Sequence, residues 1–470
     1  MLTYSFENTG SDPLYIYLYK CIKNDILAGK IRPGEKLPSK RSFAKNLGIS
    51  VITIEGAYGQ LAEEGYIYSL PKKGFFVNDL KYTAGKAKSS KKDMDTHKAV
   101  LSGGQTAFLA DFTSNQTDTE IFPFSIWTKT MREVMLDERE ALMVNPPCGG
   151  IMELRRAIAK YLLDFRGMHV RAEQIIVGAG TEYLYSLLIQ ILGRDNVFGI
   201  ENPGYHKSAR IYEQMDVPYE YVDIDAKGVT ADALVQKGIT VIHTSPSHHF
   251  PTGIVMPVSR RYELLGWAAD GEGRYIIEDD YDSELRMNGR PLPTLQSIDV
   301  TGRVIYMNTF TKTLCSTVRI SYMVLPENLA DYFYENLNFY SCTVSNFEQY
   351  TLARFMENGS FEKHINRLRR YYQNKRDAFL DALHSHPLGK CVQLHEKEAG
   401  VHFLMQLHTK KPEKDVIAAA KAAGVRLNPV SGYYAGPAAG QENVYVMNYS
   451  SLKPEHIDTA IEAIRHAAYD

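Results

Sequence analysis

The stretch RYIIEDDYDSEL, residues 274–285, joins a short apolar run to a cluster of acids. A run of that length bounded by polar residues reads as a buried strand with YII at its centre. The acids then stand at the strand's carboxyl end, the edge of a parallel α/β sheet where ligands collect. A second such run, RVIYMNTF (303–310), lies between Asp279 and Lys312, which are 33 residues apart. Outward from this pair, QIIVGAG, VFGIE and TVIHTS alternate with amphipathic stretches such as TEYLYSLLIQILG. That alternation predicts an α/β fold over residues 107–470, with a mainly parallel, doubly wound sheet and helices on both faces. A small α+β lobe is expected from about residue 340 to 470. It takes in the basic, aromatic RLRRYYQNKRDAF (367–379), read as an amphipathic helix in preference to a nucleic-acid patch.

Both strands deliver a functional group to one sheet edge. Lys312 sits among hydroxyls in NTFTKTLCSTVR (308–319), with Arg319 seven positions on. An amine that can form an imine and an acid that can pair a protonated ring nitrogen are the minimum that pyridoxal 5'-phosphate demands. Lys312 is therefore the expected catalytic residue, holding the cofactor as a Schiff base, with Asp279 on the pyridine nitrogen. Tyr281 is placed to reach the phenolic oxygen, and Tyr205 of ENPGYHKS (201–208) to stack on the ring. For the phosphate, Thr309 and Thr311 offer hydroxyls and Arg319 a two-pronged guanidinium. Gly180 and Thr181 open the helix of VGAGTEYLYSLLIQIL (177–192), where N–H groups and the helix dipole favour an anion. Each motif taken singly is often structural; their combination and spacing carry the reading.

The first 78 residues have a different character. In LPSKRSFAKNLGISVITIEGAYGQLAEEGYI, Ser39 caps one helix that Gly48 ends, and Ser50 caps a second with Ile54, Ala57, Tyr58 and Leu61 on its apolar side. Two helices joined by a tight glycine turn are what a helix-turn-helix requires. YIYSLPKKGFFV then reads as two strands around a Pro-Lys-Lys-Gly turn, the shape of a wing. The net charge of −2 conceals an asymmetry: residues 1–78 carry +3, residues 79–106 another +3, and the remainder −8. A basic front on an acidic body suits a polyanionic partner for the front alone. Residues 79–106, rich in Lys, Ser and Gly, read as a linker.

Composition, with 44% hydrophobic and 23% charged residues, is that of a globular chain of more than one domain. The N-terminal stretch has no apolar signal core, and no run of eighteen apolar residues suggests a membrane span. Five scattered cysteines without a CxxC pair fit reduced thiols in a cytoplasm, and no metal framework is expected.

The front unit resembles the winged helix-turn-helix of the GntR family, including its lead-in PLYIYLYKCIKNDILAGKIRPGEKLPS. From residue 111 onward, NPPCGGIMELRRAIAKYLLDFRG, ENPGYH, FPTG, EDDYDSE and TFTKTL…VR follow the order of the fold-type-I aminotransferases. A GntR-type unit fused ahead of such a domain is the architecture of the MocR/GabR-type transcriptional regulators. The resemblance implies double-stranded operator DNA as a partner and a homodimer, head-to-tail and domain-swapped. It implies DNA contacts at Ser39, Lys40, Arg41, Ser50, Thr53, Lys72, Lys73 and Gly74. It also implies an effector, either an amine, an amino acid or pyridoxal phosphate itself, sensed through amine exchange or slow half-transamination. An aminotransferase carrying a DNA-binding tether is the alternative. The chain departs from the pattern at four places: Val51 stands where an arginine is common, Glu55 where a base is common, Phe250 replaces an asparagine, and Val430, Ser431 and Gly432 lie where a carboxylate-binding arginine is expected. Lys207, Arg426 and His248 are the substitutes considered for effector binding.

Overall fold

The computed structural model describes residues 2–4, 6, 12–79, 108–114, 118, 120–287, 292–395, 400–438 and 440–470. The chain divides into two compact units, Met1–Gln105 and Thr106–Asp470. From residue 80 onward the expected linker lies outside the described residues.

In the first unit, helices α1 (Leu14–Leu27), α2 (Lys40–Leu47) and α3 (Val51–Glu63) precede strands β1 (Ile67–Leu70) and β2 (Gly74–Val77). The caps form as the sequence suggests. Ser39 Oγ accepts from the Ser42 N–H at 3.2 Å and Ser50 Oγ from the Thr53 N–H at 3.1 Å. Gly48 ends α2 in the left-handed region at φ 65°. Such caps satisfy N–H and C=O groups that a helix end leaves without partners. Leu18, Ile22, Phe43, Ile54, Tyr58 and Leu61 form one core beneath the three helices. β1 and β2 pair antiparallel as the wing, with Lys72 at its tip.

The second unit begins with β3 (Ala110–Asp111), then helices α4 (Phe124–Asp137) and α5 (Met152–Arg166). Strands β4 (Ile175–Gly178), β5 (Phe198–Asn202), β6 (Tyr219–Asp223), β7 (Val241–Thr244), β8 (Tyr275–Asp279), β9 (Val304–Thr309) and β10 (Ser321–Val324) form a sheet in the order β4-β10-β9-β8-β7-β5-β6. Helix α6 (Thr181–Leu192) follows β4 and α7 (His206–Gln214) follows β5. Strands β5 to β9 run parallel, whereas β10 is antiparallel to both β9 and β4. The sheet is thus mixed, and β10 brings its first residue, Ser321, to the carboxyl edge beside Gly178 and Thr309. Ile175–Gly178, Val241–Thr244 and Val304–Thr309 are buried throughout, as strands covered on both faces must be.

Helix α8 (Asn346–Glu357) packs with α4 and α5, burying Leu352 and Phe355 beside Trp127 and Leu154. Helix α9 (Ser360–Ser385) passes from that core, which holds Phe361 and Ile365, to a second one holding Leu368, Tyr372, Phe379 and Leu383. The small lobe's core therefore begins within α9 and not near residue 340. It also takes in Ala110 and Phe112, because β3 pairs in parallel with β13 (Val425–Arg426). The lobe's sheet consists of β11 (Val392–His395), β12 (His402–Leu407) and β14 (Val444–Asn448). Among the described residues no helix is long and apolar enough to cross a membrane.

Candidate functional site

The carboxyl ends of β4, β5, β7, β8 and β9 surround a cavity of about 310 Å³. Gly180, Thr181, Tyr205, Lys207, Asp279, Tyr281, Thr309, Thr311, Lys312 and Arg319 all line it. These ten positions span 140 residues of sequence, and the sheet topology brings them together.

Period-two alternation divides the acid cluster among separate partners. Glu278 faces away from the cavity, fully buried, and accepts from the Leu295 and Gln296 N–H groups at 2.9 Å. Asp279 faces the cavity. Asp280 pairs with the buried Arg166 at 2.8 Å and accepts from Tyr306. Asp282 meets His248 Nδ1 at 2.8 Å.

Asp279 Oδ2 accepts from Tyr185 at 3.1 Å and lies 3.5 Å from His243 Nε2. Its other oxygen, Oδ1, is buried without a hydrogen-bond partner. A buried carboxylate oxygen left unpaired is costly, so the site is built for a donor arriving from the cavity. A protonated pyridine nitrogen is such a donor. Lys312 is half-buried, and desolvation there, opposed by the charge of Asp282, brings its ammonium down to about 8 from the usual 10.5. An amine so placed is far more often neutral, and so nucleophilic, than a surface lysine. Tyr281 lines the same wall, its hydroxyl 3.4 Å from His248 Nδ1; burial first, then Asp282 and Asp279, push its phenol well above the ordinary range.

The end of the cavity near Gly180 is lined by hydroxyls and a guanidinium. Ser321 Oγ, Thr309 Oγ1 and Thr311 Oγ1 form a chain of hydroxyls at 2.8 Å spacings. Gly180 has φ 95° and ψ 160°, open to glycine almost alone, and a Cβ there would lie 2.3 Å from Arg319 Nη2. Arg319 holds a left-handed φ of 53° and donates to the Ala179 carbonyl at 3.2 Å and to Glu182 at 2.8 Å. A non-glycine residue in that region is uncommon, and here its two hydrogen bonds hold it. Glu182 also pairs with Lys207. Burial opposes ionisation of Glu182, but Lys207, its own N–H and Arg319 outweigh it and bring the carboxyl down to about 2.

The effector residues fare unevenly. Lys207 is at the cavity. His248 is not; it is buried one step behind the wall, stacked on His402 with ring centroids 4.6 Å apart. Arg426 is also outside, on β13, near Asp111 at 3.5 Å and over the Phe108 ring. Strand alternation turns it away from the cavity. His248, Asp282 and His402 bring ligand-capable atoms within 4.8 Å of one another. Asp282 is already engaged by His248, so we read the trio as a buttress for Tyr281 and not as a metal centre.

Sequence reasoning missed Glu182, Tyr185, His243 and Glu201, which also line the cavity, as does His249, the neighbour of His248. Tyr185 lies one helical turn after Thr181 and His243 at the end of an apolar strand, so strand-end and i, i+4 positions would have flagged both.

In the first unit Lys72 has φ 62° and Gly74 φ 106°, which sharpen the wing tip and present Lys72 and Lys73. Lys40 Nζ meets Glu55 at 2.5 Å, and Arg41 is exposed beside it at the start of α2. Ser39, Ser50 and Thr53 have their hydroxyls in the helix caps.

Residues 109–464 match the family described as aminotransferase class I and II, and residues 14–77 match the bacterial regulatory proteins of the gntR family. The chain belongs to the MocR/GabR-type transcriptional regulators. Among relatives of these regulators, the chain is 38% identical over 427 residues to the uncharacterized HTH-type transcriptional regulator YdeL of Bacillus subtilis, covering 90% of each. It is 30% identical over 436 residues to the HTH-type pyridoxine biosynthesis transcriptional regulator PdxR of Corynebacterium glutamicum, covering 92% of this chain and 90% of the relative. An archaeal alanine:glyoxylate aminotransferase superposes with a TM-score of 0.68 at 24% identity, over 80% of this chain and 94% of that one, which shows the shared fold. Aminotransferases of this fold are pyridoxal-phosphate dependent, and the residues of a MocR/GabR-type cavity described above fit that cofactor.

Proposed function

We propose that this regulator senses a small primary amine, an amino acid or pyridoxal phosphate itself through cofactor held at Lys312, and that occupancy of the cavity changes how its winged unit engages operator DNA. The observation that carries this reading is the meeting, at one cavity, of Asp279, whose Oδ1 is buried without a partner, and a half-buried Lys312 of lowered basicity. When bound, pyridoxal phosphate supplies an aldehyde that condenses reversibly with primary amines. Every other element of the sensor belongs to the chain. Asp279 takes the charge of the ring nitrogen. Tyr281, backed by His248 and Asp282, faces the ring's oxygen. Gly180, Thr181, Thr309, Thr311 and Arg319 grip the phosphate, and Tyr205 covers the ring from the cavity mouth.

The cations that line the cavity are Lys207, Lys312 and Arg319, and Glu182 already pairs with Lys207 and Arg319. With Phe250 at the Pro-Thr-Gly turn and Val430 buried, no spare cation for a substrate carboxylate lines the cavity among the described residues. That supports an effector recognised through its amine. The name of the pyridoxine-biosynthesis relative supports the cofactor itself as the sensed compound. We further propose a homodimer, supported by the exposed Phe124, Ile126, Leu136, Met143 and Val144 on and after α4, an apolar surface of the sort that a second copy covers.

The complete set of lysine, acid and phosphate-binding hydroxyls also favours a second reading, an aminotransferase with a DNA-binding tether. Incubation of cofactor-loaded protein with amino donors and keto-acid acceptors separates the two. We expect at most one slow conversion per cofactor; rapid repeated turnover would make the chain an enzyme first.

A further inference from the structure

The face that α3 turns away from its core has an unusual composition for a reader of base edges. Ile54, Ala57, Tyr58 and Leu61 are buried, which leaves Val51, Ile52 and Glu55 exposed in the first turns, with Gly59, Ala62 and Glu63 exposed and Gln60 partly so farther on. Ile52 is 79% exposed and Val51 42%. Gly59 contributes no side chain, and a Cβ there would meet nothing within 4 Å. Glu55 is tied to Lys40 at 2.5 Å. Ser50 and Thr53, the polar residues of the first turn, bond to each other at 2.8 Å within the cap. Gln60, farther along the helix and partly exposed, donates to Glu64 at 3.0 Å. The first two turns of α3 therefore present no arginine, lysine, asparagine or glutamine. Those are the side chains that bond bidentately to the major-groove edge of guanine or adenine.

What the first turn offers is methyl groups. In a helix-turn-helix the N-terminal residues of the second helix are those that reach base edges. An apolar side chain there has one counterpart in the major groove, the 5-methyl of thymine. Valine and isoleucine are held to few χ1 rotamers in a helix, so the contact is preformed and loses little entropy on binding. Lone exposed apolar residues are ordinary on protein surfaces. Two adjacent β-branched residues at the one turn that enters the groove, on a helix whose first two turns carry no bidentate donor, are not explained by the core or by the caps.

We infer that Val51 and Ile52 read thymine methyl groups, so that the operator half-site carries thymines beneath the first turn of α3 and is not selected through a guanine contact there. Lys40, Arg41, Lys72 and Lys73 then supply phosphate contacts that position the unit without reading sequence. The inference rests on the DNA-binding reading of the front unit and specifies its ligand.

The test starts from a duplex selected out of a random library by the full-length protein. Each thymine of that duplex is replaced in turn by deoxyuridine, which removes the methyl and nothing else. Burial of one methyl corresponds to roughly fourfold in affinity. We expect about that loss at one or two positions per half-site, with the salt dependence unchanged. Ile52→Ala, at a site too exposed to threaten folding, should shrink the thymine–uracil difference to less than about twofold. If every deoxyuridine duplex binds within twofold of the parent while sequence preference persists, the inference is overturned and the DNA-binding reading stands. If the library yields no preferred duplex at all, both fall.

Discussion

At Lys312, burial rather than a neighbouring cation does the chemical tuning. With an ordinary lysine fewer than about one amine in a thousand is neutral at pH 7, whereas at about 8 the neutral share is roughly a tenth. Capture of pyridoxal phosphate by the cofactor-free chain should therefore speed up as pH rises towards about 8 and level off above it, as followed by stopped-flow absorbance. Lys312→Ala should abolish the long-wavelength absorbance near roughly 420 nm expected of lysine-bound cofactor. Asp279→Asn removes the charge that faces the ring nitrogen, and cofactor affinity should fall roughly tenfold or more in a fluorescence titration. Lys312, Asp279, Tyr281 and Arg319 were legible because each follows or flanks an apolar strand with a chemistry to match. Glu182 was not, since an acid in the first turn of a helix looks like ordinary dipole compensation until Lys207 and Arg319 are seen around it. Arg426 is near in sequence yet does not line the cavity, because nearness in sequence says nothing about which side of a two-residue strand faces it.

At the scale of elements, the turn between β4 and α6 and the cap of α3 are the points where a small change has a defined consequence. Gly180→Ala would place a Cβ 2.3 Å from Arg319 Nη2 in a conformation that alanine avoids. The variant should fold, with an unchanged far-ultraviolet circular dichroism spectrum, yet lose most of its cofactor affinity. Ser50→Ala removes the α3 cap and should cost about 1 kcal/mol. In the front unit that amounts to a drop of several degrees in its calorimetric transition. Both helices of the turn and both wing strands were readable from Ser39, Gly48, Ser50 and the Pro-Lys-Lys-Gly turn, because caps and turns are local. The direction of β10 was not. SYMV is as apolar as the parallel strands, and only its pairing with both Gly178 and Thr309 reveals that it runs the other way.

On the scale of the whole molecule, the buried acids behind the cavity link stability to pH. Burial, reinforced by Asp280, raises Glu284 to about 7 against the pull of its backbone N–H, Arg166 and Asn308. A carboxyl raised in the folded state favours folding below its ordinary value near 4.5 and loses that contribution as pH climbs through about 7. The melting temperature of the large unit should fall between pH 5 and 8, and Glu284→Gln, which keeps an acceptor for Asn308, should flatten that fall. The α/β layering was legible from alternating strands and helices. The lobe boundary was not, because α9 serves two cores at once and β3 joins the lobe from more than 300 residues away in sequence. The central claim is that chemistry at Lys312 reaches the DNA. Titrating cofactor-loaded protein with a panel of amines and amino acids, while following absorbance and the mobility of the selected duplex together, tests it most directly. One compound should move both signals in the parent chain and neither in Lys312→Ala; a duplex shift that survives in Lys312→Ala would contradict the account.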